Sequence, residues 1–209
     1  MISQRLSIAA LLALSMSAQQ APRPGEWQSL FDGKTLNGWR ETDFTRRGPV
    51  RVENGTIVLG KGSLTGITWA KEFPKSNYEV RLEASRMDGL DFFAGITFPV
   101  KDSHCSLIVG GWGGSVVGLS SIDGYDASEN ETSISRTFET GRWYAISLRV
   151  RDGWIQAWIE NEKLIEISLD GRKIGLRPGE IDLSIPFGIA SYSTVAGIRK
   201  LEYRTIPPQ

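Results

Sequence analysis

The sequence predicts an all-β protein, a sandwich or barrel of antiparallel strands. Three observations carry this. Short runs alternating apolar and polar residues recur from Val50 onward. Gly, Asp and Asn separate them at intervals of about ten positions, the spacing of strands joined by tight turns. No stretch has the apolar spacing of an amphipathic helix, beyond one helical turn expected near Lys34 to Leu36. A repeat of about 20–50 residues, the mark of a propeller or solenoid, is absent.

Taken in order, Arg51 to Leu59 reads as a hairpin, because Asn54-Gly55 at its centre suits a two-residue turn. Tyr78 to Ser85 places Tyr78, Val80, Leu82 and Ala84 on one face and Glu79, Arg81, Glu83 and Ser85 on the other. That period of two marks a half-buried antiparallel strand. Phe92 to Phe98 follows the Asp88-Gly89 turn. Trp143 to Arg151 alternates again, with Tyr144, Ile146, Leu148 and Val150 inward. Asp152-Gly153 turns the chain into Trp154 to Glu160, which sends Ile155, Ala157 and Ile159 inward and Trp154 and Trp158 outward. Leu164 to Leu169, Phe187 to Tyr192 and Ile198 to Tyr203 supply the last strands.

The chain has 209 residues, which suits one domain spanning 26–206. Residues 1 to 18 read as a secretory signal: Arg5 is the charged start, Ile8 to Leu14 the apolar core, and Ser15-Met16-Ser17-Ala18 a small-residue cleavage site. The apolar core is too short to span a bilayer. Gln19 to Gly25 reads as a flexible leader. A secreted or periplasmic protein without a membrane span is therefore expected. The single cysteine, Cys105, cannot form an internal disulfide and reads as a small buried residue. Lys plus Arg and Asp plus Glu number 24 each, which argues against nucleic acid or an anionic membrane as partner.

Residues 104 to 132 are the richest in chemistry. They hold the only histidine, His104, and an apolar run, Leu107 to Val109, leading into a glycine-rich turn around Trp112. Asp123, Asp126, Glu129, Asn130 and Glu131 follow closely. Long polar loops on a sheet scaffold are usually functional, so this one is expected to form part of any polar-ligand site. Asp123, Asp126 and Glu131 are hard oxygen ligands suited to calcium or manganese, although their spacing is not that of an EF-hand. A loop that merely solvates itself is the reading the residues favour over a metal site; alternatively, Asp126, Glu129 and Asn130 bind sugar hydroxyls directly. Trp112 suits a site wall, and Trp158, outward on its strand, suits stacking on a pyranose ring.

Four segments in order, WQSLFDGKTLNGWR (Trp27 to Arg40), VRVENGTIVLGKGSLTG (Val50 to Gly66), YEVRLEASR (Tyr78 to Arg86) and GIRKLEYR near the end, resemble the 3-keto-glucoside 1,2-lyase/3-keto-2-hydroxy-glucal hydratase domain family, also called 3-keto-disaccharide hydrolase. The resemblance covers roughly residues 25 to 206. It implies a concanavalin A-like β-sandwich of two antiparallel sheets, bacterial export and action on oxidised sugars. One departure stands out: MDGLDFFAGI (Met87 to Ile96) lies where the family often carries a Gly-Asn-Ser-Gly-like segment.

The implied reaction begins at a 3-keto group, which acidifies the C2 proton of the sugar. A base removes that proton, the C1 oxygen leaves by β-elimination, and water adds to the unsaturated product. Such chemistry needs a base and a stabiliser of the enolate oxygen, and no strong nucleophile. Candidate catalytic residues are Glu83 on the polar face of its strand, Asp91 at a strand entrance, and His104, whose ordinary pKa suits proton transfer near neutrality. Arg81 beside Glu83 joins Trp112, Asp126, Glu129, Asn130 and Trp158 as a candidate substrate contact. Two other readings compete. One is a non-catalytic carbohydrate-binding module of the cell envelope. The other is a retaining glycosidase, which resembles a Glu-x-Asp-x-x-Glu strand. Glu180-Ile181-Asp182 begins that pattern, but Ser184 and Ile185 stand where its last acid belongs.

Overall fold

The structure, a computed structural model, describes residues 23–208. The expected signal segment and most of the expected leader lie outside the described residues. The strands are β1 (Gln28–Ser29), β2 (Trp39–Glu41), β3 (Val50–Glu53), β4 (Thr56–Leu59), β5 (Thr65–Trp69), β6 (Tyr78–Gly89), β7 (Ala94–Val100) and β8 (Ser103–Gly111). They continue as β9 (Val116–Ser120), β10 (Ile134–Ser135), β11 (Trp143–Val150), β12 (Trp154–Ile159), β13 (Glu162–Ser168), β14 (Gly188–Ser191) and β15 (Thr194–Thr205). A single 3-10 helix, Glu180–Ser184, is the one helical element among the described residues.

The strands form two antiparallel sheets packed as a sandwich. The first runs β13-β12-β11-β6-β15-β4-β3, with β1 paired to β15, and the second runs β10-β9-β8-β7-β14-β5-β2. The core lies between them. The first sheet contributes Val80, Leu82, Ile146, Leu148 and Ile155, and the second Ile96, Phe98, Leu107, Leu119 and Ile189, all essentially inaccessible to water. Each such side chain contributes about 1.5–3 kcal/mol by leaving water. Tyr78 is fully buried yet satisfied, since its hydroxyl donates to the Pro99 carbonyl at 2.6 Å. Cys105 lies in the same core, and burial pushes its thiol up to about 12. It is a packing residue.

Local rules explain the hairpins. Asn54 and Gly55 have φ of 49° and 74°, the left-handed pair that a twisted two-residue turn requires. The expected helical turn near Lys34 is instead an Asx turn, in which Asp32 accepts from the backbone N–H of Lys34 at 2.8 Å and Thr35 at 2.7 Å. β6 runs on past Ser85 to Gly89 because β15 pairs along it, Ala196 opposite Arg86 and Thr194 opposite Gly89. That pairing is set by the distant strand, so the alternation within Tyr78–Ser85 could not show it.

The outer face of the first sheet is an ion-pair lattice. A bulge in β15 between Arg199 and Glu202 adds one residue and brings both Arg199 and Lys200 onto Glu83, at 2.7 and 2.6 Å. Glu79 beside it is paired with Arg149 and with Arg204. Guanidinium groups lie on tryptophan faces throughout: Arg199 on Trp143 at 3.9 Å, Arg81 on Trp27 at 4.0 Å and Arg149 on Trp158 at 5.1 Å. Burial pushes the Glu83 carboxyl up, but the hydrogen bonds from Lys200 and Arg199 outweigh it and leave the pKa below the ordinary glutamate value.

The loop after β9 is laced by Asn130. Its amide donates to the carbonyls of Leu119 (2.7 Å), Asp126 (2.8 Å) and Tyr125 (3.1 Å), and its Oδ1 accepts from the backbone and hydroxyl of Thr132. Asn130→Ala leaves these buried groups unpaired and is expected to cost about 2 kcal/mol, read by urea denaturation. Glu83→Gln is expected to cost about 1 kcal/mol at neutral pH. Because the folded pKa is lowered, this stabilisation is fully present above the ordinary glutamate pKa and is lost as pH falls through the folded one. Denaturation of both proteins across that acid range should show the gap closing.

Candidate functional site

A hollow lies on the outer face of the second sheet. There Ser106 and Ile108 of β8 and Ser120 of β9 form a floor of small and branched residues. Glycine on the neighbouring strands lets covering loops approach: a Cβ at Gly95 would meet the Phe92 ring at 2.9 Å, and one at Gly118 would meet the Ala127 carbonyl at 2.6 Å. What the loops leave open is a cavity of about 370 Å³. Its walls are Asp91, Phe92, Trp112 and Tyr192, closed by residues 177–181 of the long connection from β13 to β14.

Asp91 sits between β6 and β7. Its Oδ1 accepts from the Phe92 N–H at 2.7 Å and its Oδ2 from the Gly113 N–H at 3.1 Å. Its own backbone is clasped by the Thr194 hydroxyl. The carboxylate is therefore tied to the turn that carries Trp112. In that turn Trp112, Gly113 and Gly114 have φ of 49°, 82° and 111°. Left-handed backbone costs a non-glycine residue about 1–2 kcal/mol, and here it presents the indole to the cavity with Trp112 40 % exposed.

Beneath the turn lies Arg86, a buried cation without a carboxylate partner among the described residues. Its guanidinium donates to the carbonyl of Gly114 at 2.7 Å and, at longer range, to those of Gly110 and Phe138. Burial lowers its pKa, and the charge of Asp91 offsets part of that. Arg86 thus holds the backbone from which Trp112 and the Gly113 N–H project.

The acidic loop has a different part from the one its composition suggests. Residues 121–123 pair with 173–175 almost as two short strands: Ser121 and Gly175 exchange backbone hydrogen bonds of 2.7 and 3.1 Å, and Asp123 N–H donates to the Lys173 carbonyl at 2.8 Å. Asp123 accepts from the Lys173 N–H and from Arg172, and Glu131 also pairs with Arg172. Those bonds hold the Asp123 carboxyl below the usual aspartate range, the Lys173 N–H first among them. Asp126 accepts from Ser120 at 3.0 Å and faces Arg177 Nε at 3.4 Å. These acids fasten the connection that delivers Arg177 and Glu180 to the cavity. Among the described residues no group of three or more His, Cys, Asp or Glu side chains is placed to hold a metal ion. Asp123, Asp126 and Glu131 are not gathered as a ligand set, because Arg172 and Arg177 have claimed them.

The expected site residues divide accordingly. Asp91 and Trp112 line the cavity, and Asp126 stands behind it against Ser120 and Arg177. Glu129 is exposed and turns back onto the Asp126 N–H at 3.5 Å. Asn130 is consumed in lacing its own loop and has no free group for a sugar. His104 shares the outer face of β8 by alternation but lies outside the cavity lining, half-buried, its pKa lowered by burial and then by Lys75. Glu83, Arg81 and Trp158 are on the opposite sheet. Glu83 is paired there to Arg199 and Lys200, Arg81 to Glu202, and Trp158 borders a separate shallow groove with Trp27. The polar face of β6 is thus not the face that carries the hollow.

Arg177, Glu180, Phe92 and Tyr192 were not singled out as site residues from the sequence. Glu180 accepts from the Thr45 N–H at 3.0 Å and from its hydroxyl, which orients the carboxylate. The Arg177 guanidinium lies 5.8 Å from the Trp112 ring. The available signal was Arg177-Pro178-Gly179-Glu180, two opposite charges flanking a turn pair within a long connection.

Solved structures share the architecture at low identity. A Bacillus subtilis protein with a galectin-like fold is 10 % identical, with a TM-score of 0.58 over 83 % of this chain and 91 % of its own. The carbohydrate-binding module CBM66 of Bacillus subtilis is 11 % identical, with a TM-score of 0.53 over 80 % and 96 %. Domain 4 of an extracellular arabinanase from Geobacillus stearothermophilus, solved with arabinotriose, is 14 % identical, with a TM-score of 0.52 over 82 % and 84 %. These likenesses show the fold. No curated protein matches the sequence. The family of 3-keto-alpha-glucoside-1,2-lyase-like domains matches residues 26–202, and the chain belongs to it.

Proposed function

We propose that this protein cleaves 3-keto-glycosides by β-elimination in the cavity on its second sheet, acting after export from the cell. The observation that carries this reading is one cavity holding the carboxylates of Asp91 and Glu180 and the guanidinium of Arg177 under aromatic walls, in a chain of this family.

The chemistry follows from the groups present. The 3-keto group withdraws electrons from C2, so a carboxylate can take the C2 proton, and Asp91 is the base. Its hydrogen bonds from Phe92 and Gly113 fix the carboxylate, leaving lone pairs to face the substrate. The electron pair of the C2–H bond moves onto the carbonyl oxygen, where Arg177 stabilises the enolate. Collapse forms the C1–C2 double bond and breaks the C1–O bond. The proton held by Asp91 passes to the departing oxygen, releasing an alcohol and a 2-hydroxy-3-keto-glucal. Water adding across the double bond gives the free 3-keto sugar. Glu180, oriented by Thr45, accepts hydrogen bonds from sugar hydroxyls, and Trp112 covers the apolar C–H face of the ring.

The test is turnover of a 3-keto-glucoside against its unoxidised parent. The keto form alone should be cleaved. Asp91→Asn should lower kcat about 10²–10⁴-fold, and Arg177→Met about 10²–10³-fold, each with the fold retained by circular dichroism. Full activity in Asp91→Asn removes the base assignment. Sugar binding without turnover of either form would make the protein a carbohydrate-binding module instead.

A further inference from the structure

The lining of the cavity is divided. Asp91, Ser106, Ser120, Arg177 and Glu180 supply hydrogen-bonding groups, while the side chains of Leu64, Phe92, Ile108 and Ile181 supply none and Tyr192 adds an aromatic ring with a single hydroxyl. The apolar half is a built feature. Phe92 lies against Gly95, and its ring stacks with Tyr192 at 5.9 Å and 25° between planes. The Tyr192 N–H donates to the Phe92 carbonyl at 3.1 Å and the Ser193 N–H to the Gly62 carbonyl at 2.9 Å, so the connections bearing Leu64, Phe92 and Tyr192 are fastened together. Tyr192 nevertheless remains 43 % exposed, an aromatic left uncovered at the mouth.

A sugar ring carries hydroxyls around its whole edge. Each one moved from water against Leu64, Ile108 or Ile181 loses its hydrogen bonds without replacement. A flat indole can repay a pyranose through its C–H face, but branched aliphatic side chains present no such surface. At about 370 Å³ the cavity falls within the range of ligand sites that hold more than a single small ring (about 300–1,000 Å³). Ile108 lies opposite Gly95, on which the Phe92 ring packs, and Ser106 lies two residues along, opposite Ser120. Apolar and polar linings therefore separate along β8, and a sugar held at the polar end directs the group on C1 toward the apolar one.

We infer that the preferred substrates are glycosides of apolar, ring-bearing alcohols, with the aglycone ring packed against Leu64, Phe92, Ile108 and Tyr192. This rests on the elimination reading for the sugar half only. It predicts discrimination in binding, since the aglycone wall touches no reacting atom.

The experiment compares three 3-keto-glucosides of one anomeric form, bearing methyl, 2-phenylethyl or a second glucose. All three leave as alkyl alcohols, so differences report recognition. KM for the phenylethyl compound should be at least tenfold below the other two, and Leu64→Asn or Tyr192→Ser should shrink that advantage to within about twofold. Equal KM values, or a lower value for the disaccharide, overturn the inference while leaving the elimination intact. Calorimetry with the unoxidised methyl and phenylethyl glucosides needs no turnover. Tenfold tighter binding of phenylethyl, lost in Leu64→Asn, supports the aglycone wall even if no keto sugar is cleaved. Failure of that difference together with failure of cleavage removes both.

Discussion

The buried guanidinium of Arg86 is the interaction on which the site depends. An unpaired cation in a protein interior costs several kcal/mol unless hydrogen bonds replace its water. Here the replacement comes from main-chain carbonyls of Gly110, Gly114 and Phe138. The two terminal nitrogens of Arg86 make these bonds and link the backbone of two connections, while Nε is buried without a partner among the described residues. Through that backbone Arg86 fixes the Trp112 side chain and the Gly113 N–H that orients Asp91. A glycine-rich turn left to itself would sample many conformations. Arg86 lies against this turn, its guanidinium 2.6 Å from where a Cβ at Gly110 would stand, and ties its Gly114 carbonyl in place.

A second constraint acts from the other side of the cavity. The connection from β13 to β14 is anchored in the core by Leu169 and Phe187 at its ends and by Ile174 packed against it. Between those points paired side chains hold it, with Asp123 and Glu131 on Arg172, Asp126 on Arg177 and Glu180 on Thr45. Exposed ion pairs contribute little singly. These are joined to a run of backbone hydrogen bonds between 121–123 and 173–175, and the two together define where the connection lies.

Much of the sandwich was legible because alternation is a direct imprint of one wet and one dry face. The strands at Tyr78, Trp143 and Trp154 follow the pattern residue by residue, and Asn54-Gly55 marks its hairpin. The face carrying the cavity was not legible. Outward residues of both sheets obey the same rule, so Glu83 and Ser106 look alike until the covering loops are placed. β6 even looked the better choice, since it carries more charge, yet that charge is spent on β11 and β15. Trp112 was legible because glycine neighbours make poor core. Arg177 and Glu180 were hidden because their partners, Asp126 and Thr45, are distant in sequence and only the fold brings them near. The acidic loop was ambiguous for a related reason: a cluster of carboxylates looks the same in sequence whether a metal ion or arginine side chains balance it.

The pairing of β6 with β15 bears on how the molecule comes to exist at all. This pair joins Ala84 to Ile198, and β1 joins Gln28 to Tyr203, so the middle of the first sheet joins strands more than a hundred residues apart in sequence. Non-local pairing of this kind places folding on the slow side, about milliseconds to seconds. Until the last strand is available, β6 offers one long edge with no neighbour, the kind of surface on which chains associate wrongly. A protein arranged this way cannot be completed piecemeal from its amino terminus. Its central strand waits for nearly the whole polypeptide, and the interval before closure is when the molecule is most exposed to aggregation.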